Sequence, residues 1–210
     1  MLLNSCHTED SGSVNETRIS TFYELFYNEN TNKTFALAKF TFGNALDTTL
    51  ELNDPAQVTF NGYFILQNQI SGFYEKEYNG RITQGTFVYT DLDDSVFTNT
   101  TPQMDSLQFP EMPQVIDISK AQDTYIQLVD NPVADNKVVS LIFALKLFTQ
   151  ATIGKDSIRI FANTIQDVNI GPHIGIMDRT KTTTPAQKPD AGGKMVVKYR
   201  PQNKSLNVSN

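Results

Sequence analysis

Gln57-Val58-Thr59-Phe60-Asn61-Gly62-Tyr63-Phe64-Ile65-Leu66 is the stretch on which the fold turns. Four β-type residues run into Asn-Gly and four more run out. A two-residue type I′ turn needs positive φ at both central positions, which Asn and Gly adopt at little cost, so the stretch predicts a tight hairpin. Upstream, Ile19–Tyr27 carries Ile19, Tyr23, Leu25 and Tyr27 on one parity and Phe22 and Phe26 on the other, so both faces hold aromatics. Asn28–Lys33 is an Asn-rich turn, Thr34–Phe42 a second strand rich in aromatic and β-branched residues, and Thr48–Leu52 a third. Asp54-Pro55 turns the chain into the quoted hairpin. Downstream, Phe73–Tyr78 closes at Asn79-Gly80, and Thr83–Thr90 pairs with Ser95–Asn99 across Asp91–Asp94. Short strands at roughly 8–12-residue spacing, separated by turn residues, predict a sandwich or barrel.

The same pattern continues into the second half. Phe109-Pro110-Glu111-Met112-Pro113 has two prolines and no period, and reads as a linker or crossing strand. Val115–Ile118, Thr124–Val129 and Ser157–Phe161 are short strands. Val138–Phe148 is the most apolar stretch; Val139, Leu141, Phe143, Leu145 and Leu147 share one parity, while Ser140, Ala144 and Lys146 fall on the other. A period of two predicts one central strand, not a helix. Ile174–Thr180 and Lys194–Arg200 form the last pair, joined by a loop through Pro185, Pro189, Gly192 and Gly193. The expectation is an all-β protein of two antiparallel β-sandwich units, with at most one short helix near 162–168. A polar tether covers 1–15, the first unit 16–109, the second 110–200 and a polar tail 201–210.

Composition bounds the function. Apolar residues make up 39% of the 210, enough for a core, and charged residues 19%. The net charge of −6 argues against nucleic acid, whose binding is driven by Lys and Arg releasing counterions from phosphates. It also argues against electrostatic docking on anionic lipid. No stretch reaches the ~20 apolar residues of a membrane helix. The single cysteine excludes an internal disulfide and a Cys/His zinc site.

That cysteine, Cys6, ends Leu3-Asn4-Ser5-Cys6, which has the form of a bacterial lipobox: a Leu three places before a Cys that would carry lipid. A lipoprotein signal needs a basic start and an apolar region of roughly 7–15 residues, and only Met1-Leu2-Leu3 come before Asn4, so the expectation is that Met1 stands in place of a removed signal. Together with Val58–Gly62, Thr86–Asp91, Asn99, Arg179, Gly192-Gly193 and Tyr199, this start resembles uncharacterised lipoproteins of Bacteroidota. The resemblance covers nearly the whole chain, but rests on turns and strand fillers. It implies export, a β-rich N-terminal half and an Ig-like C-terminal half, and brings no catalytic residues. It further implies a lipid-anchored, non-enzymatic protein of the bacterial outer membrane, surface-exposed or periplasmic, whose membrane contact is lipid on Cys6.

Candidate chemistry is sparse. Histidines occur only at His7 and His173, and no Gly-x-Ser-x-Gly elbow is present. Glu75 and Glu77 share a strand face at ~7 Å, near a glycosidase separation, but any polar strand face gives that spacing. Asp91, Asp93 and Asp94 offer oxygen ligands for a weak, non-EF Ca²⁺ site, although a hairpin turn favours Asp for its own reasons. Phe73, Tyr74 and Tyr78 could stack on sugar rings, although sheet aromatics are usually core. Lys181 to Lys188, with Arg179 and Lys194, form a modest basic island. Asn15, Asn32 and Asn99 begin Asn-x-Thr acceptors. The alternatives to a plain binding or structural module are a glycan-binding module or carbohydrate-active enzyme, and an adhesin or complex subunit adding a strand at an open edge.

Overall fold

The computed structural model describes residues 8–13, 15, 18–42, 48–105, 115–128, 136–150 and 157–210. Leu3–Cys6, His7 and Phe109–Pro113 lie outside the described residues. The protein is all-β, in two units. The first comprises Met1–Tyr27, Lys33–Met104 and Thr182–Val197; the second comprises Asn28–Asn32, Asp105–Lys181 and Lys198–Asn210. Residues 182–197, read from sequence as part of the second half, therefore group with the first.

The first unit holds β1 (Thr8–Asp10), β2 (Ile19–Asn28), β3 (Lys33–Phe42), β4 (Thr49–Glu51), β5 (Gln57–Phe60), β6 (Tyr63–Phe64), β7 (Leu66–Gln67), β8 (Tyr74–Asn79), β9 (Thr86–Thr90) and β10 (Val96–Thr100). One sheet runs β1-β4-β3-β2, with β8 on β3 and β7 on β8; a second runs β10-β9-β5-β6. Their inner faces meet. Tyr23 stacks on Phe87 with centroids 5.0 Å apart, Phe40 lies 4.6 Å from Tyr89, and Phe60 lies 4.8 Å from Phe87. All five rings are fully buried, and each such side chain contributes about 1.5–3 kcal/mol. The odd face of β2 is thus the inner one, and Phe22 and Phe26 are left on the outer face.

The quoted hairpin forms as expected. Asn61 and Gly62 have φ of 50° and 79°. The Asn61 N–H donates to Thr86 O at 2.9 Å, and its side-chain oxygen accepts from the Thr86 N–H at 2.8 Å. The return is shorter than expected. Tyr63–Phe64 pair with β5, whereas Leu66–Gln67 cross to pair with β8.

The tether expected over 1–15 is corrected where it is described. Thr8–Asp10 pair in parallel with Thr49–Glu51, and Ser11 is buried, its hydroxyl accepting from the Asn53 N–H at 3.0 Å. Polar side chains do not prevent a strand whose pairing is made by the backbone.

The rest of the chain holds β11 (Val115–Ser119), β12 (Thr124–Gln127), β13 (Lys137–Phe143), β14 (Lys146–Gln150), β15 (Ser157–Ile160), β16 (Gly171–Thr183), β17 (Gly193–Arg200) and β18 (Lys204–Ser209), all in the second unit except the last two residues of β16 and Gly193–Val197 of β17. β16 lies between β17 and β13, and β14 closes that side; β18 joins β16 to β11, and β12 pairs with β15. The tail expected over 201–210 is corrected: Leu206 and Val208 are fully buried in β18. The β11–β18 pair is parallel, as is β1–β4, and the other registers recorded between strands are antiparallel.

The single strand expected over Val138–Phe148 is also corrected. It is a hairpin, with Ser140 opposite Thr149 and Phe143 opposite Lys146. Ala144 and Leu145 form its two-residue turn at φ of 48° and 61°, with no residue in it that favours a turn. The short helix expected near 162–168 is a 3-10 turn at Ala162–Thr164. A buried Asp178 holds Arg200 through two hydrogen bonds of 2.7 and 2.8 Å, with Lys198 at 3.3 Å.

Candidate ligand groove

A groove of about 380 Å³ opens on the outer face of the first unit. Its sides come from three places in the chain. β2 supplies Ser20 and Phe22, β3 supplies Lys39 and Thr41, and Phe73 stands just before β8. The segment opening at Gly193 supplies Lys194. Strand alternation explains the selection: residues of β2 and β3 whose neighbours fill the core are turned outward. Close approach of the backbones positions Lys194. The Thr21 N–H donates to Gly192 O at 3.2 Å. A Cβ on Gly193 would lie 2.4 Å from the Thr21 hydroxyl and 3.0 Å from its carbonyl oxygen, so only glycine lets the chain pass here.

Phe22 and Phe73 meet edge to face, with centroids 6.1 Å apart and planes at 77°. The Lys39 ammonium lies 5.6 Å from the Phe73 ring centre, within cation–π range. Several other lysines are paired: Lys33 with Glu77 at 2.5 Å, Lys137 with Asp105 at 2.6 Å, Lys146 with Asp167 at 2.9 Å. Among the described residues, no carboxylate lies within ion-pair distance of Lys39 or Lys194. Beneath the groove, burial pushes the Tyr23 phenol far above its ordinary pKa, with the Thr21 hydroxyl opposing in part, so this core tyrosine stays neutral.

The residues singled out from sequence are dispersed. Phe73 lines the groove, but Tyr74 and Tyr78 point to the other face of β8. Tyr74 is buried against Phe40, and its oxygen accepts from the Leu52 N–H at 2.6 Å. Burial raises its pKa, with that N–H opposing. Tyr78 packs on Phe60 at 5.6 Å, and burial raises its phenol too. The three do not form one stacking surface. Glu75 accepts from the Asn68 amide at 2.8 Å, and Glu77 is taken by Lys33. The His173 ring bonds Asn169 O at 2.8 Å and meets Phe143 edge to face.

The Asp91–Asp94 turn is self-satisfied. One Asp91 carboxylate oxygen accepts from the Asp93 and Ser95 N–H groups at 3.0 and 2.8 Å, while Asp94 takes φ of 61°. Among the described residues, no group of three or more His, Cys, Asp or Glu side chains gathers as cation ligands. Asp91, Asp93 and Asp94 thus lie in one turn, with Asp91 engaged by backbone N–H groups. Asn99 is buried and clamped: its amide donates to Gln187 O at 2.6 Å and its oxygen accepts from the Gln187 N–H at 2.9 Å.

Sequence reasoning found Phe73 and noted Phe22 and Lys194 separately. It missed Lys39 and the grouping, because the strands that bring them together pair across long separations.

No family model matches this chain, and no curated protein matches it. Among solved structures it is similar to a Ca²⁺-stabilized adhesin that helps an Antarctic bacterium bind ice: 13% identity, a TM-score of 0.28, and coverage of 90% of this chain and 49% of that one. It is also similar to a 1.5-MDa bacterial ice-binding adhesin: 12% identity, a TM-score of 0.27, and coverage of 90% and 66%. The chain therefore spans about half of the first and 66% of the second.

Proposed function

We propose that this chain is a non-catalytic binding module of a bacterial cell surface, with the Phe22–Phe73 groove as its binding face and lipid on Cys6 as its tie to the envelope. One observation carries the binding reading: two aromatic rings and two ammonium groups, with no carboxylate partner among the described residues, share one groove. Ring faces, ammonium groups and hydroxyls hold a ligand by stacking, charge and hydrogen bonds. The anchor reading is supported by Leu3-Asn4-Ser5-Cys6 alone. A single acyl chain binds membranes only marginally, at about 10⁴ M⁻¹, so stable attachment needs several chains.

The binding test is a panel of immobilised glycans, peptides and lipids. Saturable binding that Phe73→Ala weakens by about tenfold is the expected result. A wild-type chain that binds nothing on the panel, or a Phe73→Ala chain that binds equally well, overturns the reading. For the anchor, the chain is expressed behind a lipoprotein signal and fractionated. Cys6→Ser is expected to move it from membrane to soluble fraction, and an unchanged distribution removes the anchor.

A further inference from the structure

We infer that the groove takes an anionic saccharide, a pyranose bearing a carboxylate; this rests on the groove being a binding face, as proposed above. Charge is the first argument. The chain carries 23 acidic and 17 basic side chains, yet the groove places two lysines and, among the described residues, no carboxylate around its opening. Those ammoniums are compact point charges with three donors each, suited to a carboxylate and in surplus until one arrives. Glu24, on the same face of β2 as Phe22, does not line the groove.

Shape is the second argument. Phe22 and Phe73 meet at 77° as two sides of a corner, against which the C–H face of a sugar ring can lie. Neither ring has a hydroxyl that would compete with the ligand for hydrogen bonds. The volume of about 380 Å³ falls within the range of small-ligand sites.

The third argument separates a sugar from an acidic peptide. Extended peptides are held mainly by backbone bonds at an open sheet edge. This groove lies on a sheet face, where the backbone groups of β2 and β3 serve their own ladders and the buried Ser20 and Thr41 line it with hydroxyl groups. That set matches a polyhydroxylated ligand.

The full chain is titrated with trigalacturonate, with its neutral galactose counterpart and with hexa-aspartate, using calorimetry and amide chemical shifts. Trigalacturonate is expected to bind, to shift the amides of Ser20–Phe22, Lys39–Thr41 and Gly193–Lys194, and to weaken as salt rises. Lys39→Gln with Lys194→Gln is expected to cost about tenfold in affinity. Lys194 is exposed, Lys39 is half-buried, and neither has a carboxylate partner among the described residues, so the thermal midpoint should hold, which separates lost binding from lost fold. Equal binding of the neutral sugar or of hexa-aspartate at the same amides overturns the ligand class and leaves the binding face standing. No shift at those amides with any probe also overturns the ligand class; the Phe73→Ala panel then decides the face itself.

Discussion

Asp105 shows how one side chain ties stability to pH. Its carboxylate sits 2.6 Å from the Lys137 ammonium, which holds it below the usual carboxylate range; burial opposes, and Lys181 and Arg179 add to the lowering. Asp123, bonded by the Ala162 N–H and then Arg159, and Asp167, bonded by Lys146, are lowered as well. A depressed folded pKa means stability that is complete above the unfolded value near 3.9 and is lost as pH falls through the folded one. Stability is therefore expected to be flat from pH 7 to about 5 and to drop below about 4. Asp105→Asn should reduce that acid drop by less than about 1 kcal/mol, since the pair is partly solvated. Urea midpoints at pH 7 and pH 3 check this, and an identical drop in the variant refutes the assignment. Residues of this kind were half legible in the sequence. Asn61-Gly62 announced its turn because its conformational preference is local. Asp91 was visible as a turn residue and equally as a cation ligand, because one carboxylate serves both; the structure adds the turn role, with the Asp93 and Ser95 N–H groups donating to it. Lys39 carried no signal, since its meaning depends on which rings and cations surround it.

At the scale of elements, alternation placed most strands but not all their ends. β2 and β3 were legible because their inward residues recur every second place. The β13–β14 hairpin was not, because Ala144-Leu145 hides a turn inside an apolar run. The structure shows what the run conceals: Val139, Leu141 and Phe143 are buried, whereas Leu145 is fully exposed and Leu147 largely so. Both turn residues hold left-handed backbone, which disfavours side-chain-bearing residues other than Asn or Asp by about 1–2 kcal/mol each. Ala144→Asn combined with Leu145→Gly supplies the residues that a type I′ turn prefers and removes no buried contact. The double variant is expected to gain about 1–2 kcal/mol in urea unfolding. No gain would mean that the strain is absorbed elsewhere in the hairpin. β1 and β18 were missed for a different reason. Their sequences are polar at most places, and β18 became a core strand only because β11 and β16 flank it.

Across the whole molecule, the chain does not fill its two units one after the other. β16 and β17 each contribute residues to both, and Lys198–Asn210 closes the second after Thr182–Val197 has served the first. The last strand therefore has a structural task that its position at the chain end disguises. β18 pairs with β11 over Val115–Ser119 and with β16 over Gly171–Gly175. Leu206 lies so close to Gly175 that a Cβ there would be 2.8 Å from its Cδ1. Removing Lys204–Asn210 takes away two fully buried apolar side chains and both ladders at once. Loss of a buried Leu alone costs about 2–5 kcal/mol, and a whole domain has only about 5–15 kcal/mol in hand. Truncation at Asn203 is thus expected to strip amide-exchange protection from Val115–Ser119 and Gly171–Gly175. Protection in Gln57–Phe60 and Thr86–Thr90, whose ladders lie wholly within the first unit, should persist. Protection retained in Val115–Ser119 would show β18 to be dispensable. Equal loss in both sets would show that β16 and β17 make the two units one cooperative structure.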